Sequence, residues 1–583
     1  MRGLTVFSLF SVFLSSCLAS VFAVSSPPQP KALPTHAVEA HNGVVAAAHP
    51  LASEAGVAIL KQGGNAVDAA VAASFVISVV RPQSTGLGGG GFMLLYRNLE
   101  SKARIYDFRE RAPLAATRTM FLNKDGSLKK FSSAGKVLGP ASTDGPLAVG
   151  VPGLVAGLID IHQKFGSLTL AKVMAPAIAI AEQGFKVYPA LSKSIEERKQ
   201  VLAAFPESRK IFLPHDRVPH PGDILVQAEL AHTLRLIASQ GKKIFYQGDF
   251  ASALTKEMKR LKGLITSKDL STYKVQEHEP IEGNYRAYRI VGMPPPSSGG
   301  VHIIEILNML SNDKISFMGH NSLAYAHLLA ESMRRAFADR ARYLGDPAFA
   351  KVPLKGLLAK DYALGLRRTI DPEKASPSQQ LSAGDPYPYE SRSTTHISVI
   401  DRWGNAVSTT QTINATFGSG LTVAGVVLNN EMDDFAVKPG SPNVYGLLGS
   451  DANAIEPGKT MLSSMSPTMV FDNKNNLQWI LGSPGGPHII TATLQTLINL
   501  IDFRMPLFEA VNAPRIHHQW LPDELAVEEG ALTESVRKAL EAKGHKVRIS
   551  EEAFGDVEAI GRLDNGNWVG VSDRRSDGQA FGF

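Results

Sequence analysis

Cysteine is almost absent. The 583-residue chain contains one, Cys17, inside an N-terminal stretch that the mature protein is expected to lose. With that stretch removed, disulfides, thiol catalysis and Cys-ligated metals are excluded. Charge of one sign is also lacking: 60 Lys and Arg against 54 Asp and Glu leave a formal charge of +6, with no basic block. A mixed surface of this kind argues against nucleic-acid binding. Beyond the N-terminus no apolar run approaches the roughly 20 residues of a membrane span. No Gly-x-Ser-x-Gly elbow occurs in a strand–turn–helix setting. Gly88-Gly89-Gly90-Gly91 lacks the strand–GxGxxG–helix order and the Lys-Ser/Thr of nucleotide loops. His517 and His518 are adjacent, so in a strand they face opposite ways and make a poor metal pair. No cofactor is implied, and no internal repeat is present.

What remains is the composition of a globular enzyme, 44% hydrophobic with 51 glycines. Arg2 followed by the apolar run Leu4 to Leu14 reads as a secretory signal. Val21-Phe22-Ala23 fits small-residue cleavage after Ala23, whereas Leu14-Ser15-Ser16-Cys17 resembles a lipoprotein box that would leave a lipidated Cys17. Leu18, Ala19, Val21 and Phe22 continue the apolar signal, so we expect a signal peptide of residues 1–23, with lipid anchoring through Cys17 as the alternative.

Leu51 to Val80 predicts two helices separated at Gly63-Gly64, where glycine supplies a left-handed cap. Helix and strand signals alternate to about residue 345, including a helix over Tyr325 to Tyr343 after the Pro294–Gly300 turn cluster. Arg334, Arg335, Arg340 and Arg342 are expected to form a charged helix face with Asp339. Asp371 to Ser393 is dense in Pro, Ser and acids, as in a surface loop or linker. Beyond it, Thr394–Ile400 and Ala406–Ile413 predict one hairpin, and Pro467–Phe471 with Leu477–Leu481 a second. A helix is expected from about Ile489 to Leu500.

Several segments carry candidate chemistry, each with a plainer reading beside it. Thr394, in Ser391-Arg392-Ser393-Thr394-Thr395-His396, is an ordinary β-branched strand residue if the chain is intact. If the Ser393–Thr394 bond is cut, its hydroxyl gains a neighbouring α-amine with a pKa near about 7.7–8.0, a built-in base. Gly482-Ser483-Pro484-Gly485-Gly486 between strand and helix could present N–H donors to an oxyanion, or be a tight turn. Asn429–Phe435 places Glu431, Asp433 and Asp434 together, to hold a metal or ammonium or as an exposed acidic turn. Ser463 and Ser464 could bind a carboxylate or cap local turns. Arg109 could clamp a carboxylate or pair with Asp107 or Glu110.

Jointly these segments resemble the γ-glutamyltransferase (γ-glutamyl transpeptidase) family of N-terminal nucleophile hydrolases. The resemblance runs from about Val44 to the C-terminus. It rests on Gly63–Ala70, Gly86–Met93, Asp107–Glu110, Thr394–His396, Asn429–Phe435, Leu462–Thr468 and Gly482–Gly486, in this order. It implies an α/β fold, a four-layer αββα sandwich. It also implies a precursor that cleaves itself between Ser393 and Thr394 into a large subunit, residues 24–393, and a small one, residues 394–583. These would stay associated as a heterodimer building one domain.

The same resemblance implies the site. Thr394 would attack the γ-carbonyl of glutathione or another γ-glutamyl compound, assisted by Thr412. Gly485 and Gly486 would stabilise the oxyanion, and water or an amino acid or peptide amine would accept the glutamyl group. Arg109, Ser463 and Ser464 would hold the α-carboxylate; Asn414, Glu431 and Asp434 the α-ammonium. Tyr445 matches a lid aromatic of some bacterial members, which with the signal suggests a bacterial periplasmic or secreted protein. The chain departs from the family at Pro487-His488, where Ser-Arg is commoner, at Met461 in place of proline, and at Arg574 within the usual Ser-Asp-Pro-Arg.

Overall fold

The computed structural model describes residues 33–384, 395–438, 443, 450–551 and 553–583. In chain order the main strands are β1 (Ala37–Ala40), β2 (Gly43–Ala47), β3 (Gly90–Arg97), β4 (Lys102–Asp107), β5 (Gln276–His278), β6 (Ile281–Tyr285), β7 (Tyr288–Gly292), β8 (Thr395–Asp401), β9 (Ala406–Thr412), β10 (Thr468–Phe471), β11 (Leu477–Gly482), β12 (Glu558–Arg562), β13 (Trp568–Ser572) and β14 (Gln579–Gly582). They form two seven-stranded antiparallel sheets, in the orders β14-β2-β8-β9-β3-β4-β5 and β1-β13-β12-β11-β10-β7-β6. Both expected hairpins are present, with Ile400 opposite Ala406 and Thr468 opposite Leu481.

The first sheet is covered outside by helices α1 (Pro50–Lys61), α2 (Ala66–Val80) and α3 (Leu154–Phe165), the second by α4 (Gly299–Met309), α5 (Leu323–Tyr343) and α6 (His488–Ile501). Between the sheets lies a core of residues such as Val44, Phe92, Leu94, Met469, Phe471 and Ile480. The result is the αββα sandwich. Every residue of β8 and β9 is buried, since both faces are covered. Ile397, Val399 and Val407 pack toward the helices. The alternate residues facing the other sheet are polar at the far end: Ser398 Oγ donates to Glu558 O (3.0 Å) and Ser408 Oγ to Leu481 O (3.3 Å).

The α2 start explains one sequence motif. Gly63 has φ +90°, and the Asn65 side chain accepts from Val67 N (2.9 Å) and Asp68 N (3.1 Å), while Asn65 N donates to Asp68 Oδ2 (2.9 Å). This capping box satisfies N–H groups that a buried helix start would otherwise orphan. Asp401 Oδ2 accepts from Ala66 N (2.9 Å), which ties α2 to the β8–β9 turn.

Two expectations need correction. Arg334, Arg335 and Arg340 are buried: Arg334 bonds Ser378 Oγ (2.7 Å) and Asp523, Arg335 bonds Glu331 (2.6 Å) and Thr369, and Arg340 bonds Ser298 and Ser464. A guanidinium tolerates burial when its donors find acceptors, and these bonds supply them. The described part of the Asp371–Ser393 stretch is irregular, as expected, but it is docked. Ser378 is fully buried and gives its N–H (2.9 Å) and hydroxyl (2.7 Å) to Asp523, and Gly384 N donates to Asp339 (2.7 Å).

The glycine run is a steric requirement. A Cβ on Gly88 would stand 2.3 Å from Val427 O, on Gly89 1.8 Å from Thr412 O, and on Gly91 2.3 Å from Thr410 O. All three obstacles are backbone, so nothing can swing aside. We predict that Gly89→Ala destabilises the protein by about 2 kcal/mol or more. Gly365→Ala, in a helix with nothing within 4 Å, should be neutral or stabilising. Thermal denaturation of both variants checks this; equal midpoints would contradict it.

Candidate active site

The candidate residues fall into two groups, one around Arg109 and one around a cavity. Arg109 follows β4 and is fully buried. Its Nη2 donates to Asp434 Oδ2 (2.6 Å) and Leu462 O (3.3 Å), its Nη1 to Glu431, and its Nε to Met461 O (3.4 Å). Glu110 Oε2 lies 3.6 Å from Nη1. The acids that engage Arg109 most closely are therefore Glu431 and Asp434, from the distant acidic turn, while Asp107 caps the Arg109 backbone N–H (2.9 Å). The turn itself, Glu431–Asp434, is a buried 3₁₀ segment rather than an exposed one.

Its brace is Asn429, which sequence reasoning passed over. The Asn429 amide donates to Gly88 O (2.7 Å) and Gly150 O (2.9 Å), and its oxygen accepts from Gly150 N (2.9 Å) and Glu431 N (3.0 Å). Asn453 performs a similar task, bonding Asp434 O (2.7 Å) and Leu462 N (3.3 Å), so the acidic turn and the Ser463–Ser464 segment are held in register. Amide side chains suit this work because each offers both donors and an acceptor. Their dense use of backbone groups leaves no periodic signal.

Burial sets the electrostatics. It pushes the Glu110 carboxyl up to about 7 against the pull of Arg109, and pushes Glu431 well above the usual carboxylate range, with Glu110 and Asp434 adding repulsion. Burial opposes the Arg109 charge, but Glu431, Glu110 and Asp434 overcome it and raise its pKa. Burial and repulsion from the neighbouring acids thus favour the protonated forms of Glu110 and Glu431 despite Arg109.

The second group surrounds a cavity of ≈ 660 Å³ lined by Asn414, Gly485, Gly486, His488, Arg81 and Asp556, among others. Thr412 ends β9 opposite Gly90, and its Oγ1 accepts from Asn414 N (2.7 Å). Asn414 has φ +70° and donates to Asn430 O (3.0 Å), one residue before Glu431. Gly485 and Gly486 have φ +118° and +64°, where side chains are strained, and lead directly into α6. His488 stacks on Phe554 (centroids 4.5 Å apart) and meets His517 edge-on (4.3 Å), which is where the Pro487-His488 departure goes.

β8 begins at Thr395 opposite Gln411, so the chain enters the sheet next to Thr412. His396 is buried against Gly482, where a Cβ would stand 2.4 Å from the ring, and burial lowers its pKa to about 3, leaving a neutral imidazole. Ser393, Thr394 and Tyr445 lie outside the described residues. Ser463 and Ser464 are fully buried, and neither they nor Arg109 line the cavity. Among the described residues no cluster of His, Cys, Asp or Glu is arranged to hold a metal ion, and no helix is long and apolar enough to cross a membrane.

A family model for gamma-glutamyltranspeptidase matches residues 52–583. The chain belongs to the γ-glutamyltranspeptidase family. It is 45% identical over 586 residues to the glutathione hydrolase proenzyme of Escherichia coli (strain K12), covering 99% of this chain and 98% of that one. The solved cephalosporin acylase from Bacillus halodurans superimposes with a TM-score of 0.83 at 28% identity, over 96% of this chain and 99% of that one. A Helicobacter pylori gamma-glutamyltranspeptidase chain, 41% identical, matches with a TM-score of 0.55 over 58% of this chain and 94% of its own. The γ-glutamyltranspeptidase assignment covers every motif of the two groups above from Gly63 onward.

The raised Glu110 carboxyl has a measurable consequence. Its folded pKa of about 7 exceeds the ordinary 4.5, so the folded state binds the proton more tightly. Its contribution is complete below about pH 4.5 and is lost as pH rises through about 7. Glu110→Gln abolishes that titration. Denaturation at pH 5 and pH 8 should show the variant gaining on the wild type by about 1 kcal/mol or more at the higher pH. An unchanged difference would contradict the assignment.

Proposed function

We propose that the chain is a self-processing γ-glutamyltransferase and glutathione hydrolase whose nucleophile is Thr394. The observation that carries this is the meeting, at one cavity, of Asn414 and the left-handed Gly485–Gly486 pair, with the entry into β8 beside Thr412. The motif match to the family and the proenzyme naming of the Escherichia coli relative support it. Cleavage of Ser393–Thr394 would give a large subunit of residues 24–393 and a small one of residues 394–583.

In this reading the Thr394 hydroxyl, its proton taken by its own α-amine, attacks the γ-carbonyl carbon of glutathione. The oxyanion that forms is met by the N–H groups of Gly485 and Gly486. Collapse breaks the C–N bond, and the ammonium returns the proton to the departing cysteinylglycine amine. A γ-glutamyl ester on Thr394 remains. Water releases it as glutamate, or an amino acid or peptide amine takes it as a new γ-glutamyl amide. Thr412 assists the hydroxyl.

The glutamyl head is recognised at both ends. Arg109, Ser463 and Ser464 take the α-carboxylate, which competes with Glu431 and Asp434 for the Arg109 fork. Asn414, Glu431 and Asp434 take the α-ammonium, and Tyr445 shields the pocket. A site with these buried polar groups disfavours donors that lack either charge, since their partners would be left unpaired. The fold likeness to a cephalosporin acylase favours, as a second reading, an amidase for other acyl groups; the charged glutamate set argues against it. The N-terminal signal supports a bacterial periplasmic or secreted enzyme, with a Cys17 lipid anchor as the alternative.

Purified protein should run as two bands summing to the precursor on a denaturing gel. Thr394→Ala should give one band and lower γ-glutamyl-p-nitroanilide turnover by at least about a thousandfold. Retention of either property at the wild-type rate would show that another group is the nucleophile. Arg109→Lys keeps the charge but loses the fork. It should be processed normally, with KM for the same donor raised about tenfold or more; an unchanged KM would remove the carboxylate clamp.

A further inference from the structure

Helix α5 crosses behind the Ser463–Ser464 segment, and one of its residues reaches through. Arg340 is fully buried. Its Nη2 donates to Ser464 Oγ and its Nε to Ser298 Oγ (3.1 Å). Ser298, in the turn before α4, in turn gives its N–H (2.8 Å) and its hydroxyl (2.9 Å) to Ser463 O. The guanidinium is therefore fixed to the serine pair by two routes, one ending on a hydroxyl and one on a carbonyl.

The hydroxyl route has a chemical consequence. A serine Oγ has one proton to donate and lone pairs to accept. When a permanently charged guanidinium donates to it, the proton must point elsewhere, and the O–H becomes a stronger donor. Ser463 is treated alike: its Oγ accepts from Met465 N (3.1 Å). Both hydroxyls thus have a fixed donor behind them and a proton to give. A merely structural staple between α5 and this segment needs no hydroxyl, because the Ser298 route already supplies one.

We propose that Arg340 is a positioning residue for the donor's α-carboxylate, acting through Ser464. It turns the Ser464 proton toward the carboxylate and holds a second positive charge one hydroxyl behind it, complementing the direct fork of Arg109. The inference rests on the assignment of Ser463 and Ser464 to the α-carboxylate made above. It concerns binding of the glutamyl head and not the acyl-transfer step, so it separates KM from kcat.

The test is a double-mutant cycle on the processed enzyme with Arg340→Gln, Ser464→Ala and their combination. Two donors are compared: γ-glutamyl-p-nitroanilide and 4-aminobutyryl-p-nitroanilide, which lacks the α-carboxylate. Arg340→Gln should raise KM for the first donor about tenfold with kcat within about threefold. Its effect should vanish in the Ser464→Ala background, and kcat/KM for the second donor should change less than about twofold. Arg340→Lys, which keeps the charge with a single donor group, should fall between wild type and Arg340→Gln, and carries the same comparison if the glutamine variant does not accumulate. Equal losses with both donors, or additive losses in the double variant, would overturn the proposal. A wild type that turns over neither donor would instead overturn the assigned activity.

Discussion

Residues 88–91 must have no side chains, because four backbone neighbours stand where a Cβ would go. Val427 O, Thr412 O and Thr410 O crowd three of these positions, and Phe108 O with the Glu110 carboxylate crowds the fourth. This close approach draws β3 against β9, brings Leu428–Glu431 alongside, and leaves Arg109–Glu110 at the end of β4 facing the acidic turn. Gly89 O also accepts the N–H groups of Gly153 and Leu154, both at 2.9 Å, and so starts α3. One steric constraint therefore sets the relative positions of the β8–β9 pair, the acidic turn of Glu431 and Asp434, and Arg109 between them.

The charges gathered there would be costly without one another. A buried guanidinium or carboxylate left alone costs several kcal/mol, and the cluster offsets this by fork geometry and by retaining a proton on its acids. Under the proposed function, such a pre-paired cluster suits recognition of a zwitterion. A ligand carboxylate and ammonium can replace interactions the cluster already makes, so binding exchanges partners instead of ordering loose side chains. The serine pair follows the same logic, with Arg340 and Met465 N oriented behind hydroxyls that are already placed.

The sequence made much of this legible, for reasons that differ by element. The β8–β9 hairpin and the helix after Gly486 announce themselves through alternation, turn residues and apolar periodicity, and the structure has them within a residue or two. Arg109, Glu431 and Asp434 were identifiable as candidates by chemical type and by resemblance, but their mutual contact spans more than 300 positions, which local patterning cannot report. Asn429 and Asn453 were missed because amides bracing backbone groups leave no periodic trace. Arg340 was misread as part of a charged face: on a helix buried along nearly its whole length, a charge every few residues marks inward partners rather than solvent. The Gly88–Gly91 run was weighed against phosphate loops, when its meaning lies in what packs on top of it.

The two sheets also explain how a chain cut at Ser393–Thr394 would hold together. In one sheet β8 and β9, which follow the cut, lie between β2 and β3, which precede it; in the other, β10 to β13 lie between β7 and β1. Separating the pieces would mean breaking ladders inside both sheets and opening the core between them. The chain is anchored on each side of residues 385–394, at Gly384 through Asp339 and at Thr395 through the β9 register. Loss of the peptide bond removes a tether between two points that the fold already holds. The free energy of association then resides in the shared sheets, so cleavage can release an α-amine at residue 394 without loosening the cavity it must serve.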